Sequence, residues 1–164
     1  MKDSNEIKIA QKLIRCKSIA PKADSALNVV EKECKIAGFK CTKLRFSEKG
    51  YDSISNLYAE IGNGKPHFSF AGHVDVVPAN KKDWVVDPFK GLIKNGYLWG
   101  RGAVDMKSAV ACFLAASKSY LEENDNFKGK ISLLITGDEE QYAKNGTVKV
   151  LKWLKKKKLK QIIV

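Results

Sequence analysis

The sequence is poor in the residues that carry much of enzyme and recognition chemistry. Of its 164 residues only two are histidine, His67 and His73, and three are arginine, Arg15, Arg45 and Arg101. The four cysteines, Cys16, Cys34, Cys41 and Cys112, include no Cys-x-x-Cys pair, which argues against a zinc ribbon or a thioredoxin-like redox site. Reduced, mostly buried thiols in a reducing compartment are expected instead. No apolar run approaches the ~20 residues of a membrane span. The opening residues Met1 to Glu6 have no apolar signal-peptide core. A cytoplasmic protein without a membrane partner is the expectation. Gly-x-Ser-x-Gly does not occur, and no cysteine has an evident histidine partner, so nucleophilic catalysis is unsupported. Gly100-Arg101-Gly102 lacks the full phosphate-loop or dinucleotide pattern.

What is present fits one soluble α/β domain. Hydrophobic residues make up 44% and charged residues 29%, a globular rather than disordered balance. The net charge of +12 comes almost wholly from lysine. Lysine is a poor substitute for arginine in bidentate base reading, so a solvated basic surface is expected and no nucleic-acid partner. Asp3 and Glu6 have capping-box spacing ahead of a helix with Ile7, Ala10, Leu13 and Ile14 on one face. A second helix is predicted from Ser25 to Ala37, closed by Gly38. Strands are predicted over Phe39 to Phe46, through Leu57, Ala59 and Ile61, over His67 to Ala71 and over Ile131 to Ile135. Lys81 to Lys90 reads as a loop anchored by Trp84, Pro88 and Phe89. Asn95-Gly96 predicts a hairpin. Further helices are predicted over Lys107 to Leu121 and Thr147 to Lys157, the latter with Val150, Leu151 and Leu154 inward. Ile162-Ile163-Val164 begins a strand. The expected fold is a layered α/β domain whose mixed, largely parallel sheet is flanked by helices.

Three polar clusters each follow an apolar strand or a glycine-rich turn: His73 with Asp75, Asp105, and Asp138-Glu139-Glu140. Functional groups collect at the carboxyl ends of strands in such sheets. Side chains at i and i+2 of an extended chain share one side, so His73 and Asp75 face the same way. Singly, each cluster has an ordinary explanation: a structural histidine, an Asp105 that caps the following helix, a solvated acidic loop or helix start. Together they bring one imidazole and several carboxylates to one sheet end. Crowded carboxylates repel, and a divalent cation removes that cost. A donor set of His, Asp and Glu suits zinc, cobalt or manganese better than calcium. Of the adjacent Glu139 and Glu140, one can hold metal while the other accepts a proton from water. His67 is expected to be structural.

Gly72-His73-Val74-Asp75-Val76-Val77-Pro78, Gly100-Arg101-Gly102-Ala103-Val104-Asp105-Met106-Lys107 and Thr136-Gly137-Asp138-Glu139-Glu140 resemble, in order and spacing, the N-terminal motifs of the M20 metallopeptidase and deacylase family. Asp87-Pro88-Phe89 and Asn145-Gly146-Thr147-Val148-Lys149 strengthen the likeness. The resemblance implies a zinc-peptidase-like catalytic domain and a metal-dependent amide hydrolase acting on a succinylated diamino acid. It implies two zinc ions, with cobalt as a substitute. His73 would bind one ion, Glu140 the other, and Asp105 both, with a cis Asp105–Met106 bond. Asp75 would orient His73, and Glu139 would be the general base.

Val74 and Ser108 stand where relatives often have Thr and Gly. The larger departure is length. Residues 1–164 resemble only the N-terminal part of the catalytic domain. The family's lid and dimerisation domain, through which relatives form homodimers, and its C-terminal catalytic segment have no counterpart here. Relatives continue to a Gly-Glu-Pro glutamate that shares a metal with His73 and to a later histidine that joins Glu140. The resemblance thus implies an impaired hydrolase with an open apolar sheet edge, or one that works with a separate C-terminal half. Another deacylase or peptidase of the family, acetylornithine deacetylase-like for example, is the alternative substrate reading. A non-catalytic fragment or a basic binding module built on Lys149 to Lys160 is the alternative class.

Overall fold

The apolar run Ile131 to Ile135 is unbroken because its strand is covered on both faces. In a computed structural model that describes residues 4–157 and 162–163, it lies in β6 (Gly129–Thr136). Leu133 and Ile135 belong to one core cluster and Leu134 to a second on the opposite face. β6 runs antiparallel to β2 (Tyr51–Asn63), which in turn pairs antiparallel with β1 (Lys40–Glu48). On its other side β6 runs parallel to β3 (His67–His73), and β3 runs parallel to the short β7 (Ile162–Ile163). The mixed sheet therefore has the order β1-β2-β6-β3-β7. A separate hairpin pairs β4 (Leu92–Lys94) with β5 (Tyr97–Trp99). Its turn has φ of 53° at Asn95 and 80° at Gly96, the left-handed pair that the Asn-Gly dipeptide predicts.

Three helices cover one face of the sheet. α1 (Asn5–Arg15) buries Ile9, Ala10, Leu13 and Ile14, so Ile9 takes the core place expected of Ile7, which is only half-buried. Ser4 holds the N-cap position of α1, and Asp3 of the expected capping box lies outside the described residues. α2 (Asp24–Ile36) buries Ala26, Leu27, Val30 and Cys34. It ends in a Schellman turn, with the Phe39 N–H on Cys34 O at 2.9 Å and the Gly38 N–H on Lys35 O at 3.1 Å. α3 (Ser108–Glu123) contributes Val110, Ala111 and Leu114.

The opposite face holds α4 (Thr147–Lys156), whose Val150 and Leu154 pack on Tyr58 and Leu134. Leu151, expected inward, is exposed, because a helix of 10 residues on a single strand pair buries only a narrow stripe. Lys158 to Lys160 of the basic run lie outside the described residues, as does Val164. The thiols are free, but only Cys34 is buried; Cys112 lies on the exposed side of α3. Among the described residues no helix is long and apolar enough to cross a membrane.

What this architecture does for the site is set by one register. His73 at the end of β3 lies level with Thr136 at the end of β6. The segments leaving these two parallel strands therefore emerge side by side.

Candidate metal centre

The chain stays extended past His73, gripped from both sides. The Val74 N–H donates to Thr136 O at 3.1 Å and the Val76 N–H to Ser18 O at 3.0 Å. The Ser18 hydroxyl donates to Val74 O at 2.6 Å. Val74 and Val76 are fully buried on one side, so the alternation turns His73 and Asp75 to the other. His73 is 3% exposed and Asp75 is fully buried. His73 Nδ1 lies 3.1 Å from Asp75 O and 3.5 Å from Asp75 Oδ1, which fixes the ring and aims Nε2 outward.

The carboxylate of Asp75 does more than orient the ring. Its Oδ2 accepts the backbone N–H of Glu139 at 3.0 Å and of Glu140 at 2.9 Å. One buried side chain thus ties the segment after β3 to the segment after β6. Asp138 is turned the other way and is 4% exposed. Its Oδ2 accepts the Asn145 N–H at 2.8 Å, and its own N–H donates to Thr136 Oγ1 at 3.1 Å. Asn145, also fully buried, donates to Asp52 O at 2.7 Å. These bonds close the loop 138–145 at its base and leave Glu139 and Glu140 facing His73. No helix begins at Asp138; α4 starts at Thr147.

Asp105 arrives on a tight turn, Ala103–Lys107, entered through Gly102 at φ 79°. A Cβ at Gly102 would lie 2.6 Å from Val76 Cγ1, so that position needs glycine both for its backbone and for space. The Asp105–Met106 peptide bond is cis. Asp105 does not cap α3, which has no side-chain cap. Its side chain, 74% exposed, instead places Oδ1 3.0 Å from His73 Nε2. Lys107, by contrast, is fully buried and donates to Leu13 O and Cys16 O, each at 2.9 Å.

Four carboxylates, those of Asp75, Asp105, Glu139 and Glu140, thus surround one imidazole in a chain of net charge +12. The local field is opposite in sign to the whole and favours a cation. Burial alone would depress the His73 pKa, but Asp75 and Asp105 outweigh it and push it up to about 9. Glu140 is raised by burial, with Asp105, Glu139 and Asp75 adding to the rise and His73 opposing it. Burial lowers Lys107 to about 8. His73, Asp105 and Glu140 each offer a donor atom, all within 4.8 Å of one another. Two ligands about 2.0–2.1 Å from one tetrahedral zinc are about 3.3 Å apart. The 3.0 Å between His73 Nε2 and Asp105 Oδ1 needs only a small adjustment to match, so the donor set fits a divalent cation. Glu139 Oε2 stands just behind, 3.8 Å from His73 Nε2.

Of the six residues in the three polar clusters, His73, Asp75, Asp105, Glu139 and Glu140 meet here, and Asp138 turns away to Asn145. The sequence reading missed Lys107 as a buried anchor, the grip of Asp75 on Glu139 and Glu140, and the Asp138–Asn145 latch. Lys107 and Asn145 stood in motifs already noted, yet carried no chemistry of their own to flag them. His67 is distant from the site and structural: its Nε2 lies 2.8 Å from the Ser132 hydroxyl, which donates to Ser69 Oγ at 2.8 Å.

Known proteins are similar to this chain in sequence and fold. A desuccinylase for succinyl-diaminopimelate from Parvibaculum lavamentivorans is 55% identical over 147 residues, covering 89% of this chain and 37% of that protein. The corresponding enzyme of Pelagibacter ubique is 50% identical over 157 residues, covering 95% of this chain and 41% of its own length. The chain therefore spans about two fifths of the length of the curated relatives it matches. Among solved structures, an M20 family metallo-carboxypeptidase from Sulfolobus solfataricus superposes with a TM-score of 0.77 at 27% identity, over 98% of this chain and 37% of that one. Human carnosine dipeptidase 1 shares the fold, with a TM-score of 0.77 at 22% identity over 93% of this chain and 35% of its own. The model of peptidase family M20/M25/M40 matches residues 69–164, a span that begins within β3 and takes in every donor of the cluster. On that match, over more than half its length, the chain belongs to peptidase family M20/M25/M40.

Proposed function

We propose that this chain supplies the metal-binding and acid–base residues of an amide hydrolase, with N-succinyl-LL-2,6-diaminopimelate as substrate and succinate and LL-2,6-diaminopimelate as products. The observation that carries the reading is the convergence of His73, Asp105 and Glu140 within 4.8 Å, with the Glu139 carboxylate beside the same imidazole. The substrate rests on the desuccinylases that are 50% and 55% identical to this chain.

His73 Nε2, Asp105 and Glu140 are the donors that would hold zinc, with Asp105 shared where two ions bind. A divalent cation in this position supplies Lewis acidity, polarising an amide carbonyl and lowering the pKa of water. Asp75 holds the His73 ring through Nδ1 and keeps Glu139 and Glu140 in place through their backbone N–H groups. Glu139, exposed at the cluster's mouth, takes the proton from the attacking water and delivers it to the leaving amine. If two ions bind, His73 and Asp105 would hold one, and Asp105 and Glu140 the other. A catalytic zinc ordinarily has three protein ligands. The chain spans 37–41% of the length of these relatives, and the further ligands such a site needs would come from outside these 164 residues.

Zinc titration followed by calorimetry tests the metal reading, and hydrolysis of N-succinyl-diaminopimelate beside N-acetylornithine tests the substrate. The expected result is zinc uptake that H73A and E140A each reduce at least tenfold. Cleavage should be weak for the chain alone, selective for the succinyl compound and abolished by E139Q. Zinc uptake indifferent to H73A would overturn the assignment, and preference for the acetyl compound would move the substrate to another branch of the family.

A further inference from the structure

The turn that presents Asp105 has little to hold it from the solvent side. The Asp105 side chain is 74% exposed, and its hydrogen bond within the cluster is to His73 Nε2. Its place depends on the backbone to either side. Before it, the Arg101 N–H donates to Pro88 O at 2.7 Å and the Ala103 N–H to Gly100 O at 3.1 Å. After it, the Lys107 N–H closes the turn onto Gly102 O at 2.9 Å. The Lys107 side chain then leaves the site altogether and runs into the core.

A fully buried ammonium is an odd choice for a side chain that only fills space. Removing it from water is costly, and a methionine would occupy much the same volume without that cost. The offset lies at the far end of the side chain. Nζ donates to Leu13 O and Cys16 O at 2.9 Å each, carbonyls at the end of α1 that also accept the Cys16 N–H at 3.1 Å and the Ser18 N–H at 2.8 Å respectively. A cation is also the favoured charge at a helix C-terminus. The same half of α1 reaches the preceding segment twice more, through Gln11 Nε2 to Gly91 O at 2.7 Å and Arg15 Nε to Lys90 O at 3.2 Å. α1 lies outside the span matched by the family, yet it is bonded at two places to the segment leading to Asp105, Lys90 and Gly91, and again to Lys107 after it.

We propose that Lys107 is a positioning residue for the metal centre: by capping α1 from within the core it fixes the turn that carries Asp105. Lys107 touches neither metal nor substrate and acts through Asp105. The inference rests on the metal-centre reading above, and its test therefore includes one measurement without metal.

In metal-free protein, hydrogen exchange of the amides at 102–107 is expected to quicken at least tenfold in K107M, with the amides of β6 unchanged. Cobalt titration of the same variant should show at least a tenfold loss of affinity and an altered visible spectrum. K107R keeps a cation on the two carbonyls but crowds them, and serves where K107M does not fold. It should weaken cobalt binding two- to fivefold and shift the spectrum. Unchanged exchange at 102–107 together with an unchanged cobalt spectrum and affinity, in either folded variant, would overturn the proposal. Exchange that rises equally across the sheet would also overturn it, by making Lys107 a general stabiliser. If wild-type protein takes up no cobalt while K107M still loosens the turn alone, the metal reading fails and the anchoring of Asp105 stands.

Discussion

His73 and Asp75 show how two residues can set the behaviour of the whole cluster. The His73 pKa is raised from 6.5 to about 9, so the protonated ring is the form its carboxylate neighbours stabilise. That stabilisation is complete below about pH 6.5 and disappears as pH rises through about 9; it amounts to about 3 kcal/mol at most. In metal-free protein, the stability gap between wild type and H73Q, read from urea denaturation, should therefore narrow steadily between pH 6.5 and 9. Zinc competes with the same proton, so its affinity should climb with pH across that window, by up to about tenfold per unit, and then level off. Asp75 carries a different load. D75A would orphan the Glu139 and Glu140 amides and should cost about 2–4 kcal/mol in denaturant midpoint analysis, with D75N milder because one acceptor oxygen remains. The shared direction of His73 and Asp75 was legible, since it follows from strand alternation. The partners of Asp75 Oδ2 were not, because they lie 64 and 65 residues away and depend on which strands become neighbours.

Among the secondary-structure elements, the sequence located the helices and strands to within a few residues because each has a clear apolar face or run. It was weaker where direction depends on the tertiary partner. Leu151 has the right period for α4 but faces solvent, and Asp138 sits in an acidic triplet yet points into a latch. The Asn145 side chain ties the same loop to the β1–β2 hairpin at Asp52, and that tie can be tested by itself. N145A removes the bond to Asp52 O and the contact with Lys149, while the bond from Asn56 Nδ2 to the Asn145 backbone carbonyl stays. The expected result is a loss of about 1–3 kcal/mol in thermal or urea unfolding. Hydrogen exchange should be faster at 137–146 than elsewhere, and zinc affinity should fall because Glu140 rides on the same loop.

For the whole molecule, the lysine excess reads as surface. Lys12 pairs with Glu33 and Lys43 with Glu31, each at 2.7 Å, and Lys149 with Glu48 at 3.0 Å. The α/β class was legible from apolar patterning, and the gathering of one imidazole with several carboxylates from their places at strand and turn exits. The level register of β3 with β6, which brings them together, was not, since pairing is a property of the assembled sheet. Metal is expected to act on the molecule as a unit: zinc at 100 times its dissociation constant should add about 2.7 kcal/mol, raising Tm by roughly 5–10 °C, reversibly with EDTA and not in H73A. β6 has one further consequence. It is the strand at which the sheet changes from antiparallel to parallel pairing, so the loop after it borders His73 on one side and the β1–β2 hairpin on the other. Tyr142 stacks edge-on against Tyr51 at 5.4 Å, and Lys144 lies over the same ring. The hairpin tip is thus a remote adjusting screw. A substitution at Tyr51 would act on the loop that carries Glu139 and Glu140 while leaving every candidate metal donor in place.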